Sequence, residues 1–166
     1  MKIITTILCL FILNFSYSQN WLQTGGGASH DEALDVETDA VGNIYTTGYV
    51  SSTSQMGTSV NVQTNGFSDV YVSKSNSSGE FLWAKTFGGP GADRGYDIDI
   101  DNIGNIYITG YVSGTVVFDA FTVTTNNGSQ DFFVAKLNPS GDVVWVNVQG
   151  GPEGESGFGV AVDIGV

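Results

Sequence analysis

The stretch Asp93–Trp145, DRGYDIDIDNIGNIYITGYVSGTVVFDAFTVTTNNGSQDFFVAKLNPSGDVVW, is a complete copy of a unit that the chain repeats. Trp21, Trp83 and Trp145 are each 62 positions apart (83 − 21 and 145 − 83), and the copies align without a gap. Other residues recur with the same period. They are the doublets Gly26-Gly27, Gly88-Gly89 and Gly150-Gly151, and the single residues Asp39, Asp101 and Asp163. Self-similarity at a fixed period of this length predicts a tandem-repeat architecture.

The first half of the unit predicts a β-hairpin. Apolar and polar residues alternate over Tyr96–Asp101 and over the equivalent Leu34–Asp39, which indicates strands with two different faces. The segments that follow, Asp101–Gly104 and Asp39–Gly42, begin with Asp and end with Gly. Asp first and Gly fourth are typical of a type I turn that leads into the partner strand.

The second half of the unit adds two more strands. Asp131–Leu137 is the predicted third strand, Asn138–Gly141 is a second turn of the same type, and Asp142–Gln149 is the fourth strand, which carries the tryptophan. Gly114–Gln130 predicts a small extra hairpin or an ordered loop. Each unit is therefore expected to be four antiparallel strands in up-and-down order, without a substantial helix.

These features predict an all-β fold of four-stranded antiparallel β-propeller blades, with two full blades, partial ones and an incomplete ring. The competing architecture is a β-solenoid, whose coils are usually shorter and less rich in hairpins. Because blades stack face to face, we expect partial burial on both faces of a blade, including Val36, Ile98, Tyr45 and Phe133.

Three segments resemble the bacterial SBBP β-propeller repeat, which is frequent in exported proteins of the Bacteroidetes group. They are Asp101–Gly110, Asp131–Leu137, and Gly141–Trp145 with the Gly-Gly doublet that follows. The resemblance covers essentially the whole chain after the N-terminal segment and implies a propeller. Such proteins are mostly uncharacterised, and many carry a C-terminal sorting domain, which is not visible in this sequence.

A second propeller family, the quinoprotein-like repeat, is similar at fewer positions. The likeness rests on Ala135, Ser140-Gly141 and Trp145, where that family locks neighbouring blades together. Leu137 stands where that family has an acidic residue, so the SBBP repeat is the better match.

The expected organisation is a signal peptide followed by one repeat region. The divisions are 1–18, signal peptide; 19–166, β-propeller repeat region; 19–27, outer strand of a closing blade, with Trp21–Thr24 as a short strand; 31–89, blade 1; 93–151, blade 2; and 155–166, the start of blade 3. We expect the chain to be a fragment of a longer propeller, and residues 19–166 alone to self-associate through uncovered blade faces and strand edges.

The N-terminus predicts export. Lys2 precedes an apolar run, Ile3–Phe15, and the small residues Ser16 and Ser18 stand where a signal peptidase requires them. The alternative is a buried N-terminal strand. Cleavage after Ser18 would leave an extracellular or cell-surface protein with no membrane insertion. Cys9 would be lost with the signal, so the mature chain would contain no disulfide.

The charge balance excludes some classes of partner. The chain has 17 acidic residues and a formal net charge of −12, and the basic residues after position 18 are few and scattered. Nucleic acids and anionic membranes require clustered Lys and Arg, so neither is an expected partner.

The motif Asp97-x-Asp99-x-Asp101 suggests a calcium loop, but two features oppose this interpretation. Asn102 occupies the position where such a loop requires glycine. In an extended strand the outer carboxylates would lie about 13 Å apart, too far to share one ion. We therefore expect roles in turn capping and at the blade rim, and no calcium binding in the micromolar range.

The other candidate site residues also have structural interpretations. His30 is the only histidine and has no serine in a repeated relation to it, so no hydrolase triad is predicted. Gly88–Gly91 leads into a strand and not a helix, which disfavours a nucleotide site. The three tryptophans could stack on sugars, but their regular spacing favours packing between blades.

These observations favour an exported propeller module for binding or surface interaction, with no catalysis, metal or cofactor of its own. Its partner would be an unidentified protein or carbohydrate ligand. The alternative is a propeller enzyme, either a polysaccharide lyase or a quinoprotein-like oxidoreductase, with its site in the missing blades. Propellers host both binding modules and enzymes.

Overall fold

A computed structural model describes residues 21–126 and 129–163. This part of the chain forms thirteen β-strands and no α-helix. The strands are β1 Gly25–Gly27, β2 Glu32–Thr38, β3 Ile44–Val50, β4 Ser54–Met56, β5 Val60–Val62, β6 Asp69–Ser75, β7 Phe81–Phe87, β8 Arg94–Ile100, β9 Ile106–Ser113, β10 Thr115–Phe118, β11 Phe121–Thr124, β12 Gln130–Leu137 and β13 Val143–Gln149.

Two four-stranded antiparallel sheets make up most of the fold. The first blade has the order β2-β3-β6-β7 and the second has the order β8-β9-β12-β13. The two sheets share one register, because Tyr45 pairs with Lys74 as Tyr107 pairs with Lys136. The predicted all-β fold of up-and-down propeller blades is confirmed.

The segment between the second and third strands of each blade forms a small hairpin. In the second blade β10 pairs with β11, which confirms the hairpin alternative for Gly114–Gln130. In the first blade β4 pairs with β5 on one side and with β1 on the other.

The turns are built as the sequence predicts. The Gly42 N–H donates to the Asp39 carbonyl over 3.0 Å, and the Gly104 N–H donates to the Asp101 carbonyl over 3.0 Å. Gly42 and Gly104 have φ of 85° and 84°, a conformation that costs a residue with a Cβ about 1–2 kcal/mol. Each Asp also accepts turn amide hydrogen bonds with its carboxylate, which fixes the end of the strand.

The main core lies where the second blade packs on the first. Phe118 stands between Phe87 of the first blade and Phe133 of the second, with 5.2 Å between ring centroids on each side. The aliphatic residues around these rings are fully or almost fully buried: Val70, Val72, Ile98, Ile106, Ile108, Val112, Val116 and Leu137. Burying a side chain of this kind is worth about 1.5–3 kcal/mol, so this joint holds the two blades together.

The N-terminal strand does not lie where the sequence predicts it. Trp21–Thr24 contains no strand, and the strand is the next segment, Gly25–Gly27. It forms because Gly26 pairs with Gln55 of β4. Gly88 and Val117, which are the equivalent residues one repeat later, form an antiparallel bridge as well. The strand prediction for Trp21–Thr24 was therefore wrong, because β4, the edge strand of the first blade's hairpin, pairs with Gly25–Gly27 instead.

The expected opening strand of a third blade is also not formed over residues 155–163. This segment runs along the second blade, and the Gly157 N–H donates to the Gly110 carbonyl over 3.0 Å. Its backbone makes only single hydrogen bonds of this kind to the second blade, and no strand in the described ranges pairs with the segment to form a ladder. Residues 164–166 of that prediction lie outside the described residues.

Val36 corrects the expectation that both faces of each blade are partly buried. Its side chain is 55% exposed, whereas Ile98, one repeat later, is 2% exposed. Asp35 points towards the second blade, where its carboxylate accepts the Ile98 N–H over 2.9 Å. Because side chains alternate along a strand, Val36 points to the opposite face, which no described element covers.

The predicted signal peptide lies outside the described residues. Within residues 21–126 and 129–163, the structure contains no helix long and apolar enough to cross a membrane.

Candidate functional site

A cleft lies on the face of the first blade that points away from the second blade. Its volume is about 230 Å³. We call it the first-blade cleft, and its walls include Trp21, Gln23, Asp31, Glu32, Ile44, Thr46, Met56, Tyr71, Ser73, Ser75 and Phe81. Concave sites with an apolar lining and a few convergent polar groups are where small ligands usually bind.

One wall of the first-blade cleft consists of hydroxyl groups. Thr46 is on β3, and Ser73 and Ser75 are on β6. The Thr46 and Ser73 hydroxyls are 2.6 Å apart and hydrogen-bonded. Alternate side chains of a strand share one face, so Ser73 and Ser75 lie on the same side of β6. Thr46 pairs with Ser73, and all three hydroxyls therefore lie on one side of the sheet.

The equivalent wall of the second blade is aliphatic. Ile108, Ala135 and Leu137 stand 62 residues after the three hydroxyl residues, and all three are completely buried against the first blade. The two blades have the same backbone pairing, so the difference lies in the side chains. The first-blade cleft therefore departs from the repeat at the positions that would otherwise be packing residues.

Aromatic side chains also line the cleft. The Trp21 indole lies against Gly79 in the β6–β7 turn, and its Nε1–H donates to the Ser77 carbonyl over 3.1 Å. Tyr71 and Phe81 complete the apolar surface. Aromatic faces next to hydroxyl and carboxylate groups give a site both apolar and hydrogen-bonding surface.

Carboxylates close one end of the cleft. Asp31 accepts the Gly27 N–H over 2.6 Å and the Ser51 N–H over 2.9 Å, which ties β1 to the loop after β3. Glu32 is 3.3 Å from the Nε2 atom of His30. Burial raises the pKa of the Tyr71 hydroxyl, and the negative charge of Asp31 adds to that shift.

His30 lies next to Glu32 but is not part of the cleft lining, and its side chain stays accessible. Its side chain is 72% exposed, and its Nδ1 atom is 2.8 Å from the Tyr49 hydroxyl. The sequence analysis did not predict this contact, because nothing in the sequence places Tyr49 beside His30. The structure brings no serine hydroxyl into hydrogen-bond contact with His30 among the described residues.

The structure gives Asp97, Asp99 and Asp101 separate roles. Asp97 accepts the Val160 N–H over 2.6 Å, and Asp99 accepts the Val162 N–H over 2.6 Å. Both carboxylates thus satisfy backbone donors of the segment that follows the second blade. Burial, together with the adjacent Asp35 carboxyl group, raises the pKa of Asp97.

Asp101 instead caps its own turn. Its carboxylate accepts the Ile103 and Asn105 backbone N–H groups and the Asn105 side-chain amide. Partial burial acts in the opposite direction, but these hydrogen bonds outweigh it and lower the pKa of Asp101. Residues 21–126 and 129–163 contain no group of three or more His, Cys, Asp or Glu side chains placed to hold a metal ion.

Trp21, Trp83 and the glycine-rich segment make contacts between repeats. Trp83 packs over Gly141 in the next blade as Trp21 packs over Gly79. Gly88 accepts the Val117 N–H over 3.0 Å, and Gly91 accepts the Phe67 N–H over 3.0 Å. Trp145 is 39% exposed and contacts Tyr107 edge-on within its own blade.

Residues 82–115 match the family model of the SBBP beta-propeller repeat. The chain carries an SBBP β-propeller repeat. The matched segment runs from the last strand of the first blade through the inner hairpin of the second, so it crosses the joint between the blades. No curated protein matches the chain significantly.

Sequence reasoning missed the first-blade cleft, although a signal for it was present. Comparison of the two SBBP-type blades position by position pairs Thr46, Ser73 and Ser75 with aliphatic residues. Three small polar residues at positions that are core residues in the other repeat indicate that these positions do not serve in core packing here. What the sequence could not show was that the three positions face the same cavity.

Proposed function

We propose that this SBBP repeat protein is an exported, non-catalytic binding module, and that the first-blade cleft takes a hydroxyl-rich ligand of the carbohydrate class. The observation that carries the proposal is the wall formed by Thr46, Ser73 and Ser75, where the second blade has three buried aliphatic residues. Hydroxyl groups both donate and accept hydrogen bonds, as sugar hydroxyls do, and therefore match them in either direction.

The aromatic lining of the cleft supports the same ligand class. Trp21, Tyr71 and Phe81 offer apolar surface to the C–H face of a sugar ring. Glu32 and Gln23 supply further hydrogen-bonding groups at the rim. The cleft volume of about 230 Å³ is below the range typical of drug-sized ligands, which suits one or two sugar units of a longer chain.

Export is supported by the N-terminal pattern of a basic residue, an apolar run and small residues before Gln19. Sequencing of the secreted protein should therefore give an N-terminus at or next to Gln19. Recovery of a mature protein that still begins with Met1 would contradict this part of the proposal.

The binding test is isothermal titration calorimetry of the secreted chain with neutral oligosaccharides chosen by a glycan array. The triple variant Thr46→Ile, Ser73→Ala, Ser75→Leu gives the cleft the aliphatic wall of the second blade. We expect it to lose at least tenfold in affinity while keeping its fold, because the replacing residues are those of the other blade.

The matched control is Ile103→Ser, which changes an exposed residue in the β8–β9 turn. It should bind as the wild type does. Equal affinity of the triple variant and the wild type would refute the cleft as the site, and an absence of binding to all neutral glycans would refute the ligand class.

A further inference from the structure

Two completely buried carboxyl groups flank the Gly88-Gly89 segment at the joint between the blades. Asp69 begins β6 of the first blade, and Asp93 directly precedes β8 of the second. The Asp93 carboxylate accepts the Gly89 N–H over 2.9 Å and the Ser113 N–H over 2.7 Å. Its own N–H donates to the Ser68 carbonyl over 2.8 Å. Asp93 therefore ties the exit of the first blade to the second.

Asp69 is only half satisfied. Its Oδ2 atom accepts the Asn65 N–H over 2.9 Å, whereas Oδ1 has no hydrogen-bond partner among the described residues. The carboxyl group lies against the Gly88 backbone, so closely that a Cβ at Gly88 would overlap it. A buried carboxylate oxygen without a partner destabilises the folded state unless the group takes up a proton.

The second blade shows how the same position is satisfied. Asp131, one repeat after Asp69, accepts the Asn126 N–H over 2.9 Å and the Ser129 hydroxyl over 3.2 Å. In the first blade the residue equivalent to Ser129 is Phe67, whose side chain is 80% exposed. Without this hydroxyl, Asp69 Oδ1 stays unpaired. Of the two described blades, only the first has this unpaired oxygen, because Asp131 Oδ1 in the second blade accepts the Ser129 hydroxyl.

The surroundings of both groups favour the protonated form. Burial raises the pKa of Asp93 to about 6, against two backbone hydrogen bonds that act in the opposite direction, and the negative charge of Asp69 adds to the shift. Burial also raises the pKa of Asp69. From the second blade, the Tyr111 hydroxyl interacts with Asp93, and Arg94 follows it in the chain, with its guanidinium 4.2 Å from the Tyr49 ring.

We propose that Asp69 and Asp93 form a pH-sensitive latch between the two blades, which is closed while a proton is bound to the pair and loosened when both carboxyl groups are ionised. This inference does not depend on the first-blade cleft. It rests on the two buried carboxyl groups, the unpaired Oδ1 atom and the Gly88-Gly89 segment between them.

The direction of the pH dependence follows from proton linkage. A carboxyl group whose pKa is higher in the folded state than its ordinary value of 3.8 binds more protons when folded. Its contribution to stability is therefore fully present below pH 3.8 and is lost as the pH rises to about 6. For one proton, the opening equilibrium of the joint should increase by about tenfold per pH unit across that window.

The test is amide hydrogen exchange of Gly89 and Ser113 in the full chain at several pH values, corrected for intrinsic exchange rates. Their protection should fall between pH 4 and pH 6 and then level off. Carbon-13 NMR titration of the carboxyl groups should place the Asp93 transition near pH 6. A protection factor that does not change with pH, or an Asp93 transition near pH 4, would overturn the proposal.

Two variants and one control isolate the pair. Asp69→Asn removes one charge, and Phe67→Ser restores the hydroxyl of the other repeat at an exposed position. Both should reduce the pH dependence, while the part that comes from the burial of Asp93 remains. Asp131→Asn, equally buried and one repeat later, should lower stability while the pH dependence of Gly89 protection remains. The latch is ruled out if Asp131→Asn flattens the curve as much as Asp69→Asn, or if Phe67→Ser leaves it unchanged.

Discussion

The two blades have one backbone plan but present opposite chemistry on equivalent faces. On the second blade this face carries Ile108, Ala135 and Leu137 and forms the core of the joint. On the first blade the equivalent positions are hydroxyl residues that line an open cleft. The difference shows that the repeat fixes the strands and turns, whereas a few side chains decide whether a face packs against the neighbouring blade or lines a cleft.

Leu137→Ser should have the largest effect on this comparison. It gives the packed face the residue of the cleft and leaves a cavity at a completely buried position. We expect a loss of about 3–5 kcal/mol in the free energy of unfolding, measured by urea denaturation. The reverse change, Ser75→Leu, should cost less stability, because Ser75 lines the cleft, whose empty volume can take part of the larger side chain. Equal losses of stability in the two variants would contradict the distinction between a packed face on the second blade and a cleft on the first.

Gly141→Ala tests the contact between a tryptophan and a turn glycine, which occurs in both blades. Gly141 has a φ of 84°, and a Cβ there would lie 3.1 Å from the Trp83 ring. The left-handed conformation alone should cost about 1–2 kcal/mol, visible as a lower melting temperature. Gly79→Ala should cost at least as much, because Trp21 lies even closer to that turn. A melting temperature unchanged by either substitution would contradict this role of the turn glycines.

Asp101→Ala should have a smaller effect, because it removes a turn cap and leaves the core intact. Loss of the hydrogen bonds to the turn should lower the free energy of unfolding at pH 7 by about 1–2 kcal/mol. The pKa of Asp101 is lowered in the folded state, so this contribution is present above its ordinary value of 3.8 and is lost as the pH falls through the folded-state pKa.

Thermal unfolding at pH 7 and at pH 2.5 measures this dependence, and the difference between Asp101→Ala and wild type should shrink at the lower pH. Asp39→Ala, the equivalent change in the first blade, is the matched variant and should behave alike. A difference that grows in acid would argue against the turn-capping role.

Calcium should have the smallest effect, which is none in the micromolar range. Asp97 and Asp99 already accept backbone N–H groups, and Asp101 is committed to its turn. Calorimetric titration of the chain with calcium chloride should give only heats of dilution. A stoichiometric heat that disappears in Asp101→Ala would reverse this assignment.

Much of the fold could be predicted from the sequence because its signals are local. Alternating residues in Tyr96–Asp101 specify a strand face, and Asp followed by Gly at the fourth position specifies the turn. The prediction for Trp21–Thr24 failed because a strand is defined by its partner, and the partner, β4, lies in a segment whose sequence differs between the repeats.

The candidate site was less accessible from the sequence. Thr46, Ser73 and Ser75 lie on two strands that are far apart in the chain, and only the β3–β6 pairing brings them to one wall. His30 could not be assigned for the same reason, because its contact with Tyr49 crosses the first hairpin.

By itself the sequence determined the repeat length, the strand and turn chemistry and the propeller class, since each depends on residues close together along the chain. Only the tertiary structure decided which carboxylates cap backbone donors, which face is a cleft and which buried oxygen lacks a partner. These outcomes depend on distances between residues of different strands and blades. Asp69 and Asp131 show the point: both are buried Asp residues at the same repeat position, and only the packed structure reveals that the Ser129 hydroxyl reaches one of them while the other keeps an unpaired oxygen.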